Sequence, residues 1–383
     1  MRFLHTADWQ LGMTRHFLAG DAQPRYSAAR RDAVAGLGAL AAEVGAEFVV
    51  VAGDVFEDNQ LAPQVIGQSL EAMRAIGVPV YLLPGNHDPL DASSVYTGGL
   101  FTAACPDNVV VLDQAGIHRV RAGLELVAVP WRSKVPTTDL VAEVLDGLSA
   151  GDATRILLAH GGVDILDPDP GKPSLIRLAG VEQALACGVI HYVALGDKHS
   201  LTEVGGSGRV WYSGSPEVTN YDDVEVNPGH VLVVDIDDSD PQRPVTVEAR
   251  KVGRWRFVTV RSHLDSGRDI ADLAASLDEM TDKERTVVRL ALTGALTVTD
   301  RAELDACLER YARLFAWLQM WERHTDLAVI PADGEFDDLG LGGFAASAVA
   351  ELVDTARAGE SQTAADAQAA LALLLRLAER GVP

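Results

Sequence analysis

From its first residues the chain alternates short apolar, strand-like runs with stretches whose apolar residues recur at helical spacing. Residues 2–6 read as a strand and 28–44 as a helix with Val34, Leu37, Leu40, Ala41 and Val44 on one face. Residues 47–52 and 78–83 read as strands on either side of a helix at 64–76. Strand-like segments follow at 109–112, 118–121 and 124–129, then a helix at 139–148. Strands at 155–159 and 191–195 bracket a helix at 175–186, and strands at 210–212 and 231–236 close the region. Parallel strands need a crossover long enough to hold a helix, so this alternation commits the chain to an α/β fold with helices over sheet faces. The short strands after residue 109 point to a mixed sheet or two packed sheets.

A chain of 383 residues has room for about two domains. Residues 1–237 form the first. The acidic, Pro-containing stretch 237–244 separates it from a second alternation within 245–330: strand 257–261, helix 270–280, strand 286–292, helix 301–321, strand 327–330. Residues 331–343 are acidic and Gly-rich and read as a linker. Two further helical patterns, 344–358 and 364–380, make up the C-terminal segment 344–383.

Composition narrows the function classes. The N-terminus lacks a basic-then-apolar signal pattern, and no run of about 18 apolar residues exists, which argues for a cytoplasmic location and no membrane. Cys105, Cys187 and Cys307 have neither disulfide-framework nor metal-site spacing. The formal charge of −23 argues against a broad nucleic-acid-binding surface, so nucleic acid would have to be met by a local basic patch or through metal ions.

Five of the apolar runs stop on a group able to bind a metal. Residues 2–7 lead to Asp8, 47–53 to Asp54, and 78–85 to Asn86-His87-Asp88. Residues 155–159 lead to His160, and 191–196 to Asp197-Lys198-His199. In open α/β sheets ligands gather beyond the carboxyl ends of the strands, so these termini can share one cleft. Each alone has a structural explanation, since Asp caps turns and His satisfies core contacts; five together point to a site. The turn Pro84-Gly85-Asn86-His87-Asp88-Pro89 adds an amide oxygen, an imidazole and an orienting carboxylate within three residues. A two-metal centre needs a bridging carboxylate and several oxygen or imidazole ligands, and Asp8, Asp54, Asn86, His160, Asp197 and His199 suffice.

Asp8, Gly53-Asp54, Gly85-Asn86-His87-Asp88, His160 and Gly196-Asp197-Lys198-His199 resemble the ordered motifs of the calcineurin-like metallophosphoesterases. More narrowly, His5-Thr6-Ala7-Asp8-Trp9, Gly53-Asp54-Val55-Phe56 and Tyr212-Ser213-Gly214-Ser215-Pro216 resemble the SbcD-type repair nucleases. The resemblance covers roughly residues 1–330 and implies a layered αββα domain with a small α/β DNA-capping domain and a helical tail. It implies that Asp8, Asp54 and His199 hold one metal and that Asp54, Asn86, His160 and Asp197 hold the other, with His87 as the catalytic histidine. It also implies DNA as substrate, an SMC-like coiled-coil ATPase gripped by the C-terminal helices, and a homodimer.

Two positions depart from that pattern. Where the family usually has Asp-x-His, Gln10 stands in Asp8-Trp9-Gln10; where it has Gly-His-x-His, Asp197 replaces the first histidine. Both exchanges put oxygen in place of nitrogen, which leaves Gln10 a weak ligand or none and tilts the centre toward hard cations, Mn first and Mg as the alternative. Glu57 follows Asp54 by three residues, where related phosphatases orient the catalytic histidine with a carboxylate.

For DNA, the densest basic cluster is Arg250, Lys251, Arg254, Arg256 and Arg261, interleaved with Trp255 and Phe257, and Lys198 lies inside a ligand motif. The activity that the resemblance implies is metal-dependent hydrolysis of DNA phosphodiesters at ends or hairpins in double-strand-break repair. The alternatives are a phosphodiesterase of nucleotides or other small molecules, and a scaffold that has lost catalysis at Gln10.

Overall fold

A computed structural model describes residues 1–240, 242–330 and 344–357, with positions 363, 366, 367, 370 and 371 beyond them. The chain divides into two compact units, Met1–Trp255 and Arg256–Pro383.

The first unit opens with β1 (Arg2–Thr6), α1 (Ala22–Val44), β2 (Val49–Val51), α2 (Pro63–Arg74), β3 (Val80–Leu82), α3 (Gly99–Ala104) and β4 (Val109–Val111). It continues through β5 (Gly116–Arg121), β6 (Leu124–Val129), α4 (Leu140–Asp146), β7 (Thr154–His160), α5 (Leu178–Ala186) and β8 (Tyr192–Gly196). Strands β9 (Thr202–Glu203), β10 (Val210–Tyr212), β11 (His230–Ile236) and β12 (Val245–Lys251) complete it. They build two six-stranded sheets, β12-β11-β1-β2-β3-β4 and β5-β6-β7-β8-β10-β9. β1 to β4 run parallel, as do β6, β7, β8 and β10, while β11, β12, β5 and β9 pair antiparallel.

Side-chain alternation explains the layers. Val49 and Val51 pack with Val34, Leu37, Leu70 and Met73 of α1 and α2, while Val50 between them faces the second sheet. In β7, Ile156 and Leu158 join Val50 and Phe3 between the sheets, and Leu157 and Ala159 pack outward against Val181 and Leu185 of α5. Strands buried on both faces read as unbroken apolar runs, which is why they stand out in the sequence. The result is the αββα sandwich. Local signals set the helix ends: Gly45 takes a left-handed φ of 67° after α1, and the Asp139 side chain accepts from the amides of Val141 and Ala142 at the start of α4.

The second unit holds β13 (Arg256–Leu264), α6 (Gly267–Glu279), β14 (Thr286–Thr297), α7 (Val298–Ala312), β15 (Trp317–Met320), β16 (Asp326–Ile330) and α8 (Phe344–Arg357). β13, β15 and β16 all pair parallel with β14, and Leu273, Leu277, Leu304 and Tyr311 of α6 and α7 cover one face.

The largest departures from the expected boundaries are these three. The helix expected over 301–321 ends at Ala312, because Leu318 and Met320 alternate into the core and β15 pairs with β14. Residues 245–251 belong to the first unit, since β12 pairs with β11 over seven residues from Val245 to Lys251. The first helix starts at Ala22 instead of residue 28. The linker expected over 331–343 and most of the helix expected over 364–380 lie outside the described residues. Among the described residues no helix is long and apolar enough to cross a membrane.

Candidate metal centre

Because β1, β2 and β3 run parallel, as do β7 and β8, the residues after each strand emerge on one side of its sheet. Asp8, Asp54 and His160 are buried, and one ligand atom from each lies within 4.8 Å of the others. His160 Nε2 stands 3.3 Å from Asp54 Oδ1, 3.8 Å from Asp197 Oδ1 and 2.7 Å from Asn86 Oδ1. Its Nδ1 donates to the Ala52 carbonyl at 2.9 Å, which aims Nε2 into the centre. Backbone amides brace the carboxylates: Asp197 N–H donates to Asp8 Oδ1 and His87 N–H to Asp54 Oδ1, each at 2.9 Å.

The backbone is strained where these side chains meet. Asp8, Gln10, Asp54 and Asp197 all have positive φ, at 53°, 43°, 52° and 100°. Such conformations cost about 1–3 kcal/mol each and cluster where function requires them. Close approach needs glycine beside them. A Cβ on Gly53 would lie 2.1 Å from His160 Nδ1, and one on Gly196 would lie 2.0 Å from the Ala52 carbonyl oxygen.

The electrostatics mark the place of a cation. Burial disfavours charge on His160, yet Asp54, Asp197 and Asp8 outweigh it and hold the imidazole up at about 10. Asp54 is lowered by His160 and His87 against its burial, whereas burial raises Asp8. Asp8 Oδ2 and Gln10 Oε1 are buried without a hydrogen-bond partner. Two orphan oxygens in a field negative enough to keep a proton on an imidazole fit a divalent ion. Asp8, Asp54 and His160 are therefore a metal-binding cluster.

Around it stand the other expected site residues. His199 Nε2 lies 3.3 Å from Gln10 Nε2, so the Gln10 amide turns its nitrogen to the histidine and its oxygen away. Burial pushes His199 down to about 4. The Asp197 side chain keeps 40% of its accessible surface, yet lost hydration and Asp54 raise it, with His160 opposing. His87 is partly exposed; its Nδ1 donates to the Glu57 carbonyl at 2.9 Å and its Nε2 is 3.9 Å from Asp54 Oδ2. Glu57 thus orients His87 through its main chain, with its carboxylate at 4.0 Å, and burial raises that carboxyl. Lys198 lines a recess of about 200 Å³ with Gly162, Val163, Asp167, Asp197 and Tyr212. Asp88 braces the turn: it accepts from Phe56 N–H, Gly85 N–H and the Tyr96 hydroxyl, and burial lifts it to about 6.

Several side chains of the basic cluster have partners of their own. Arg250 pairs with Glu248 at 2.8 Å and Glu43 at 3.5 Å, and Lys251 donates to the Pro228 carbonyl. Arg254 is exposed, and Arg256 lies in the second unit, donating to the Thr281 carbonyl at 3.0 Å. Trp255 and Phe257 are buried core aromatics.

Sequence reasoning missed two supports. Arg30 is buried and donates to the carbonyls of Asp8, Trp9, Glu217 and Val218 and to the hydroxyls of Tyr26 and Ser215. Its spacing of four and seven from Val34 and Leu37 on the apolar stripe of α1 was the signal for it. Glu225 accepts from Thr219, whose Oγ1 lies 2.6 Å from His199 Nδ1, and nothing local in the sequence announces that chain.

A stretch of 236 residues is 24% identical to the DNA double-strand break repair protein Mre11 of Methanococcus maripaludis, covering 59% of each chain. A 91-residue stretch is 33% identical to the protein of that name in Archaeoglobus fulgidus, covering 23% of this chain and 19% of the relative. These matches thus span less than two thirds of either relative. Among solved structures, TT1561 of Thermus thermophilus is 11% identical at a TM-score of 0.40, over 66% of this chain and 98% of that one. The NAD nucleotidase of Haemophilus influenzae is 16% identical at a TM-score of 0.35, over 82% and 60% respectively. The family model for calcineurin-like phosphoesterases matches residues 1–230, more than half of the chain. With its buried Asp8, Asp54 and His160 at the strand ends, the chain belongs to the calcineurin-like phosphoesterases.

Proposed function

We propose that this phosphoesterase is a DNA nuclease that hydrolyses phosphodiesters at ends or hairpins during double-strand-break repair. The observation that carries the reading is His87: a partly exposed imidazole beside the Asp8, Asp54 and His160 cluster, 3.9 Å from Asp54 and anchored through Nδ1 to a main-chain carbonyl. Similarity to two proteins named for DNA double-strand break repair makes DNA the favoured substrate.

Divalent ions bound at the centre supply Lewis acidity to a phosphoryl oxygen and lower the pKa of water. Asp8, Gln10, Asp54 and His199 would hold one ion, and Asp54, Asn86, His160 and Asp197 would hold a second. Mn is the expected metal and Mg the alternative, because oxygen donors outnumber imidazoles. His87 holds a proton at Nε2 toward the cleft and passes it to the departing 3′ oxygen. Glu57 keeps that ring aimed, and Lys198 meets a neighbouring phosphate. Arg250, Lys251 and Arg256 join DNA binding only where phosphate displaces the partners described above, and Arg254 joins from an exposed position. An SMC-like coiled-coil ATPase and a second copy of the chain are the proposed partners.

A small-molecule phosphodiesterase is the second reading, favoured by the acid partners of Arg250 and the overall charge of −23. A labelled DNA hairpin and bis(p-nitrophenyl) phosphate, each assayed with Mn for the intact protein and His87→Ala, separate the two. Hairpin cleavage at least about 100-fold weaker in the variant supports the nuclease. Turnover of the small diester with an intact hairpin rejects it.

A further inference from the structure

The segment after β6 carries chemistry that neither the metal centre nor the basic cluster uses. Trp131 is anchored to the catalytic turn at both ends: its N–H donates to the Pro84 carbonyl at 3.1 Å, and its carbonyl accepts from Leu90 N–H at 2.9 Å. Its indole Nε1 donates to the His160 carbonyl at 2.7 Å, and the ring meets the His160 imidazole edge to face, with centroids 5.8 Å apart. Three residues on, Lys134 Nζ lies 3.4 Å from Asp58, the neighbour of the Glu57 whose carbonyl holds His87. The loop therefore runs along the rim from His160 to the His87 side of the centre.

Its exposed side chains suit a polyanion with an apolar face. Arg132 and Lys134 are both exposed in a chain of net charge −23, and Val135 is 75% exposed, more than any other large hydrophobic residue described. An exposed ion pair such as Lys134–Asp58 is worth little in water, so phosphate can displace it at small cost. The Arg132 guanidinium holds one main-chain carbonyl, that of Asp113, at 2.8 Å, and retains further donors for phosphate. An apolar tip beside two cations is an arrangement by which proteins press against sugars and bases while neutralising the backbone.

We infer that the loop from Trp131 to Val135 is a strand-positioning element: Arg132 and Lys134 bind phosphates flanking the scissile one, and Val135 packs against the adjoining nucleoside. This rests on the nuclease reading and adds a site for it. Trp131 fixes the loop to the metal centre, so the strand held by the loop is presented in register with His87.

The test compares the full-length protein with Arg132→Ala/Lys134→Ala and with Val135→Ser, all loaded with Mn. The quantity read is kcat/KM for a DNA hairpin divided by kcat/KM for bis(p-nitrophenyl) phosphate, together with the salt dependence of hairpin binding. In the double variant the ratio falls about tenfold or more, and the slope of log affinity against log salt shallows by about two. Val135→Ser lowers the ratio without changing the slope. An unchanged ratio and slope in the double variant overturns the inference while the nuclease reading stands; an unchanged ratio in Val135→Ser removes the nucleoside contact. Failure of the intact protein to cleave the hairpin, with the small diester turned over, defeats the nuclease reading itself.

Discussion

The His160 imidazole and the Asp54 carboxylate face each other at 3.3 Å, Nε2 to Oδ1, with both side chains sealed from solvent. Neither strand end alone creates this pair: β2 supplies the acid and β7, in the other sheet, the base. The metal-free protein therefore carries an ionised pair where the holoprotein would carry a cation.

That pair makes metal-free stability depend on pH in a definite direction. His160 is lifted from its ordinary 6.5 to about 10, so its contribution is fully present below pH 6.5 and is lost as pH rises through 10. Urea unfolding of the metal-free protein between about pH 6 and 10.5 should show this decline. In Asp54→Asn the decline shrinks, because the carboxylate that raises His160 most is gone. An equally steep decline in the variant would exclude Asp54 as the cause.

Metal competes with the same proton. Mn should raise the melting temperature, by about 2.7 kcal/mol of stabilisation at one hundred times its Kd, and chelation should reverse it. Its apparent affinity should increase between about pH 6 and 9 as His160 gives up its proton more readily. Calorimetric titration checks both. If Zn alone restores binding and activity to the stripped protein, the preference for oxygen-seeking ions inferred from Gln10 and Asp197 is wrong.

Arg30 joins the segment bearing Asp8 to the segment bearing Glu217 and Val218. Arg30→Met leaves several buried carbonyls without donors and should cost about 3 kcal/mol or more in unfolding free energy. Arg30→Lys should recover little, since an ammonium has three donors and no planar fork. Urea denaturation of the metal-free protein measures both, and bound Mn per chain by elemental analysis shows whether the Asp8 side of the centre goes with it.

Glu225 offers a second pH signature of opposite origin. Burial raises it from 4.5 to about 7, so the unfolded chain releases this proton first and stability falls as pH rises from 4.5 through 7. Glu225→Gln should flatten that part of the profile, measured again by urea unfolding. A variant with the same slope as the parent would place the titration elsewhere.

Much of this was legible in one dimension. Strands buried on both faces, such as Val49–Val51, must be continuously apolar, and a site at parallel strand ends must put its donors just beyond them. Asp8, Asp54, Asn86, His160 and Asp197 were all readable by that rule. The rule failed where neighbours in sequence part company in space. Arg250 belongs to the densest basic cluster in the sequence, yet Glu43, in α1, and Glu248, on the same strand, pair with it. Residues 313–321 carried a helical pattern up to the point where pairing with β14 claimed them as a strand.

What the sequence by itself determined is the order of most elements, an α/β class with a mixed sheet or two packed sheets, and the donor at each strand end, because backbone periodicity and side-chain chemistry are local. The αββα layering was only what the family resemblance implied. The tertiary structure alone decided how those donors are used. It set Asp8, Gln10, Asp54 and Asp197 at positive φ, turned the Gln10 oxygen away from His199, and slid Arg30 and Glu225 beneath the loops. Hydrogen-bond geometry and desolvation depend on distances between segments up to about two hundred residues apart, and no local pattern encodes them.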